Sequence, residues 1–188
     1  MRYTLSILLL LISLSATSRR LPLNDNDKAE FTKSIGVPDR SADEISLYAN
    51  SFAKKNKLTD VTVSPDTLGK KVTAKVAWLY KGTKNGCIGT MVIEAELIVA
   101  CRDHEAIIYI TNFTYKHYPW HATETKKIRE NRNKPSCDST GTIEQLMDCL
   151  QCKGSQKKIY KMIKKRSKEY ISNYNDQMKN PEGEKVNW

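Results

Sequence analysis

The sequence predicts a single α+β domain, an antiparallel sheet in β-α-β-β-β-β-α order with helices packed on one face, carried behind an export signal. A short alternating stretch runs into an amphipathic helical pattern near the start of the chain. Between residues 61 and 115 the apolar residues recur with period two, and the chain closes on segments of helical period. Half-apolar strands need a cover on one face, and the amphipathic helices supply it. The 188 residues are enough for one ordinary domain of about 100–200 residues and an address label, which excludes a large multidomain enzyme. A hydrophobic share of 39%, a charged share of 28%, eight glycines and six prolines exclude a disordered tail, a collagen-like rod and a polytopic membrane protein.

Residues 1–18 read as a secretory signal: Arg2 near the start, an apolar run from Leu5 to Leu14, then Ser15, Ala16, Thr17 and Ser18. Cleavage after Ser18 fits best and cleavage after Ala16 is the near alternative. The run is shorter than the ~20 residues of a spanning helix, so no transmembrane anchor is expected. The first 86 residues contain no Cys to carry a lipid at the cut, so the exported chain is expected to be periplasmic or extracellular and free of a lipid anchor. Residues 19–30 are polar and irregular and read as a linker, 31–178 as the domain, and 179–188 as a flexible tail.

Phe31 to Val37 alternates as a first strand and stops at Pro38. Ser41-Ala42-Asp43-Glu44 is a capping box, behind which Ile45, Tyr48, Ala49, Phe52 and Ala53 predict a helix over 42–57, with Lys54, Lys55 and Lys57 at its negative end. Val61 and Val63 form a short strand. Val72, Ala74, Val76, Trp78 and Tyr80 alternate as the next, and turn chemistry over Lys81 to Gly86 leads to a strand with Cys87, Met91, Ile93, Ala95, Leu97 and Val99 on one face and Thr90, Glu94 and Glu96 on the other. The charged turn Arg102-Asp103-His104-Glu105 feeds a last strand from Ala106 to Tyr115. Lys116 to Gly141 reads as a long surface loop. Thr142-Ile143-Glu144-Gln145 is a second capping box opening a helix with Ile143, Leu146, Met147 and Leu150 on one face. Gly154-Ser155 kinks or breaks it before a final helix carrying Ile159, Met162, Ile163, Tyr170, Ile171 and Tyr174.

At Phe31 to Pro38 with Ser41 to Phe52, at Ala95 to Cys101 with its charged turn, and at Ile108 to Tyr118 with Asn112-Phe113-Thr114, the chain resembles the domain of unknown function 4468 family over residues 31–178. That family is found in exported proteins of Gram-negative gut and oral bacteria. The resemblance implies a TATA-binding-protein-like fold and export, and it implies no catalytic residues, because the family has no established activity. The chain departs from the pattern at Gly69-Lys70-Lys71, where the family tends to be glycine-rich, and in its cysteines near Cys149. The fold's name does not imply DNA binding, since function lives in sites and not in folds.

Removing residues 1–18 leaves 30 basic against 21 acidic residues, a net charge of +9. Eight of the basic residues fall between Lys153 and Lys168 with no acid among them, and without that segment the charge would be +1. The surface-binding candidates are Lys157, Lys158, Lys161, Lys164, Lys165, Arg166 and Lys168. A lysine-rich helix face with interleaved Ile, Met and Tyr suits an anionic lipid or polysaccharide surface. The plain alternative is a solvated face whose apolar side covers the sheet.

The five cysteines at 87, 101, 137, 149 and 152 leave at least one thiol without an intramolecular partner. Cys149 and Cys152 form a CxxC whose place at a helix end opposes thiolate formation, and Cys137 with that pair provides three zinc ligands without a fourth. His117 and His121 have metal-ligand spacing on a helix, which Pro119 between them prevents. Glu94 and Glu96 read as a solvent-facing sheet surface. No cofactor and no nucleic acid are expected. The expected function is a non-catalytic binding or assembly module whose partner is an envelope protein or an anionic surface component. The alternatives are a thiol redox enzyme using Cys149 and Cys152, or anionic-surface binding through the basic helix.

Overall fold

The computed structural model describes residues 21–81, 90–118, 140–148 and 153–179. Strand β1 (Phe31–Gly36) is followed by helix α1 (Ala42–Lys55), β2 (Thr59–Asp66), β3 (Gly69–Lys81), β4 (Thr90–Arg102), β5 (Glu105–Tyr118), β6 (Thr140–Thr142), α2 (Ile143–Asp148) and α3 (Lys153–Lys179). All strand pairs are antiparallel, in the order β1-β5-β4-β3-β2, with β6 joining β5 beyond the end of β1. The α+β class and the expected element order hold, but both described ends of the stretch expected to be a surface loop are strand, β5 running on to Tyr118 and β6 being added at Thr140–Thr142.

Side-chain parity makes the sheet one-sided. Val72, Ala74, Val76 and Trp78 of β3 face the helices with Val99, Leu97, Ala95 and Ile93 of β4, their register partners, and all eight are buried. Phe31 and Ile35 of β1 and Ala106, Ile108 and Ile110 of β5 extend that layer. On the opposite face Thr62, Thr73, Ile98, Tyr109 and Thr32 form one register row across five strands. On the covered side α1 lies over β2, β3 and β4, while α3 lies beside β1 and against α1. The two helices meet through Phe52 and Tyr174, with ring centroids 5.2 Å apart, and Trp78 links Tyr170 of α3 to Phe113 of β5.

Strand β5 changes parity halfway along. Ile108 and Ile110 are buried, and so are Phe113 and Tyr115. The switch occurs where Asn112 and Phe113 together oppose Ala95, between the pairs Glu96–Thr111 and Glu94–Thr114. Asn112 has φ +52°, a left-handed conformation that Asn tolerates better than most residues, and its Nδ2 donates to Glu96 Oε2 at 2.8 Å. This is a β-bulge, which adds one residue to one strand and re-aims the side chains beyond it. Edge strand β2 repeats the device: Asp60, at φ +52°, lies between the pairs Thr59–Lys75 and Thr62–Thr73 and bridges to Lys75 at 2.7 Å.

Both capping boxes are present. Ser41 N–H donates to Glu44 Oε2 (2.9 Å) and Glu44 N–H to Ser41 Oγ (3.3 Å). Thr142 N–H donates to Gln145 Oε1 (2.8 Å) and Gln145 N–H to Thr142 Oγ1 (3.4 Å). The Ser41 backbone and then its hydroxyl hold the Glu44 carboxyl below its ordinary value of 4.5, so this support for the cap is complete above 4.5 and is lost as pH falls through the depressed value. Helix α1 stops at Lys55, two residues before the expected end. Lys57 takes φ +54°, donating to Lys54 O (2.9 Å) while Leu58 donates to Ala53 O (2.9 Å), the paired bonds of a Schellman termination.

Residues 21–30, read as a linker, put Leu21 and Ala29 in the core, at 3% and 0% exposure. They fold back on themselves through the Leu23–Ala29 bridge, with Asn24 Oδ1 accepting from the N–H groups of Asn26 and Lys28, and Ala29 N–H donates to Glu144 Oε1 at 2.8 Å. Gly154 and Ser155, expected to kink or break a helix, lie inside the first turn of α3. The expected signal at 1–18, residues 82–89, most of the expected loop at 119–139, residues 149–152 and the expected tail at 180–188 lie outside the described residues.

The charged turn joins strand and helix. Val37 N–H donates to His104 O and His104 N–H to Arg40 O, both at 2.9 Å, and Asp103 Oδ1 accepts from Ala42 N–H at 2.8 Å at the start of α1. Cys101, 1% exposed, lies beneath it. A Cβ on Gly69, whose φ is +151°, would stand 2.2 Å from the Cys101 carbonyl oxygen, so only glycine allows β3 to start this close to β4. Burial pushes the Cys101 thiol up to about 12, with Asp66 adding to the rise and Lys70 opposing it.

Two outcomes follow from these features. Asn112→Val forces a β-branched side chain into the left-handed region and lowers stability by about 1–3 kcal/mol in urea unfolding, whereas Asn112→Gly stays within about 1 kcal/mol of the parent, since it forfeits only one exposed hydrogen bond. Cys101 resists iodoacetamide in the native protein at pH 8 and is modified on unfolding, as read by peptide mass mapping. The stability from its protonated thiol is present below the ordinary value of 9.0 and is lost as pH rises toward 12.

Candidate functional site

Helix α3 runs for 27 residues, about 40 Å at 1.5 Å per residue. Its buried positions are Gln156, Ile159, Ile163, Ser167, Ile171, Tyr174 and Met178, spaced by three or four so that they form one seam. The expected apolar positions Ile159, Ile163, Ile171 and Tyr174 lie in it, while Met162 and Tyr170 pack at its margin. Gln156 and Ser167 are polar members that periodicity did not flag. Gln156 Nε2 donates to Leu146 O at 2.7 Å and ties α3 to α2.

The cations lie outside this seam, on the side of the helix that adjoins it at Ile171. At 3.6 residues per turn, Lys157, Lys161, Lys164, Lys165 and Lys168 fall within a sector of roughly 100°, with Lys158 at its margin and Arg166 turned to the flank. Lys164 is half-buried and the other six are exposed. The stripe from Lys157 to Lys168 is about 17 Å long by the same rise. Among the described residues, Glu169 is the acid that meets it, 3.7 Å from Lys165 and 3.4 Å from Arg166. Such exposed helix pairs contribute only ~0.3–0.5 kcal/mol. Against them stand the like-charged i,i+4 pairs Lys157–Lys161, Lys161–Lys165 and Lys164–Lys168, each costing a comparable amount. The isolated helix thus gains little from these charges, and the buried seam holds it in place.

Cys87, Cys137, Cys149, Cys152 and His121 lie outside the described residues, and Cys101 is buried in the core. Among the described residues, no three of His, Cys, Asp and Glu gather as metal ligands, and no helix is long and apolar enough to cross a membrane. Glu94 and Glu96 share the open sheet face, as their parity predicts, and Glu96 holds Asn112. His104 is structural, with its ring Nδ1 against Pro38 O. Lys33, which no motif singles out, occupies a helix-facing parity between buried Phe31 and Ile35 yet is exposed.

No protein-family model matches the chain, and no curated protein matches it. Among solved structures, a TBP-like protein from Parabacteroides distasonis is similar at a TM-score of 0.57 and 16% identity, over 85% of this chain and 97% of that one. A domain of unknown function 4468 family protein from Bacteroides ovatus has a TM-score of 0.41 and 15% identity, over 52% of this chain and 60% of that one. The first likeness agrees with the strand order and the single covered face described above, and the fold is a TBP-like α+β fold.

Proposed function

We propose that this chain is an exported, non-catalytic binding module of the cell envelope, held at an anionic surface by the lysine stripe of α3. The observation that supports the reading is the stripe itself. Three like-charged i,i+4 pairs persist on one helix face with little acidic relief, whereas a face kept only for solubility mixes both signs. Because the apolar side of α3 is spent in the core, contact is electrostatic and peripheral, without insertion of the helix. Lipid phosphate and acidic polysaccharide offer the same chemistry to it.

A lysine near an anionic membrane surface contributes about 1 kcal/mol. Co-sedimentation with phosphatidylglycerol-containing vesicles is therefore expected at low salt and is lost progressively as the Debye length shortens from about 30 Å at 0.01 M to 8 Å at 0.15 M. The variant K157Q/K161Q/K164Q/K165Q/K168Q binds about 10³–10⁴-fold more weakly while its unfolding midpoint stays close to that of the parent, since the replaced side chains stand off the seam. Absence of vesicle binding at low salt, together with absence of binding to an acidic polysaccharide such as polygalacturonate, overturns the reading.

A further inference from the structure

The sheet edge at β1 offers a second surface, which shares Lys168 alone with the lysine stripe. Glu30 N–H donates outward to Pro22 O at 2.9 Å, whereas Val37 N–H donates to His104 O, on the β5 side, at 2.9 Å. Backbone hydrogen-bonding groups alternate in direction along an antiparallel strand. Thr32 and Ser34 therefore point theirs outward with Glu30, and Phe31, Lys33 and Ile35 point theirs toward β5 with Val37. Among the described residues, pairing on this edge ends at Pro22–Glu30, and the outward groups of Thr32 and Ser34 meet no backbone partner. The opposite edge, β2, is blunted by the left-handed Asp60 bulge and by Pro65, which has no N–H.

Beside β1 lies a groove of about 660 Å³ between the strand, residues 22–25 and α3. Its lining includes Phe31 and Ile171, which are 7% and 9% exposed, with Leu23 near one end. Lys33 from β1 and Lys168 from α3 line it from its two sides, and Asp25 and Glu30 lie at the end near the folded-back segment, where Glu30 accepts from Asn24 Nδ2 at 3.1 Å. Phe31 and Lys33 are two residues apart on one strand face, the separation of successive groove-facing side chains on an added strand.

We propose that this groove takes an extended acidic segment of another protein as an added strand on β1. The main chain of the segment pairs with the outward groups of Thr32 and Ser34. Its groove-facing side chains alternate between an apolar residue on Phe31 and Ile171 and a carboxylate between Lys33 and Lys168. This is strand addition, in which backbone bonds supply affinity and alternate side chains supply selectivity.

The probe is a blocked nonapeptide in which every second residue alternates between leucine and glutamate and the intervening residues are threonine. Titrated into the isotope-labelled protein, it shifts the amide signals of Thr32 and Ser34 and is bound at least about tenfold more tightly than a scrambled peptide of the same composition. Thr32→Pro removes an N–H that the fold does not use, so it abolishes peptide binding and leaves vesicle co-sedimentation unchanged. Lys33→Glu weakens binding, and a peptide with lysine in place of glutamate restores it, an arm that stands even if the proline variant does not fold. Equal affinity for the scrambled peptide, or amide shifts confined to other surfaces, overturns the proposal. So does a dimer in sedimentation that Thr32→Pro dissociates, because the edge then belongs to a second copy.

Discussion

A single backbone conformation at Asn112 keeps this sheet one-sided. Strand β5 is the hub, pairing with β4 along one side and with both β1 and β6 along the other. A strand this long with strict alternation would carry either Ile108 and Ile110 or Phe113 and Tyr115 to the helices, but not both pairs. The left-handed turn at Asn112 inserts one residue against β4 and brings all four to the covered face. Phe113 can then touch both Phe31 and Trp78, with centroids at 6.0 and 6.2 Å, so the aromatic cluster beneath α3 depends on that residue.

Helix α3 divides its two faces between packing and charge. The seam from Gln156 to Met178 is set by burial: Tyr174 wedges against Phe52, and burial pushes its phenol well above the ordinary value of 10.0, so it stays protonated. The face outside the seam bears lysines whose mutual repulsion would disfavour an isolated helix, which is consistent with most helical stability in proteins coming from packing of the apolar face. The stripe is thereby presented on a rigid rod, in a fixed orientation to the sheet.

The two ends of the sheet are closed differently. At the β4–β5 turn, Asp103 and His104 bind the β1–α1 connection and the first turn of α1, so a segment that looks merely charged is a clasp that sets where the helix begins. At the other end the folded segment 21–30 seals the core with Leu21 and Ala29 and engages Glu144 of α2. Edge strand β2 carries a proline and a bulge, while among the described residues the outward groups of Thr32 and Ser34 on β1 meet no backbone partner, beside a groove.

Much of this was legible in the sequence where one physical signal acts locally. Ser41 with Glu44 and Thr142 with Gln145 announced two helix starts, since a capping box involves only residues three apart. The alternation from Val72 to Val99 announced a half-buried hairpin, and the spacing from Ile159 to Tyr174 announced the seam that leaves the lysines outside. What could not be read depends on partners distant in the chain. The parity switch at Asn112 is defined by Ala95 opposite it, the burial of Leu21 and Ala29 by core residues far along the chain, and the helix-capping role of Asp103 by Ala42. Lys33 breaks an apolar parity in plain view, yet only the approach of Lys168 and Ile171 turns that break into one wall of a groove. Local hydrogen bonding and periodicity were thus determined by the sequence itself. Register shifts, edge exposure and the joining of distant side chains were decided by tertiary packing, because each depends on a residue that chain order alone does not bring near.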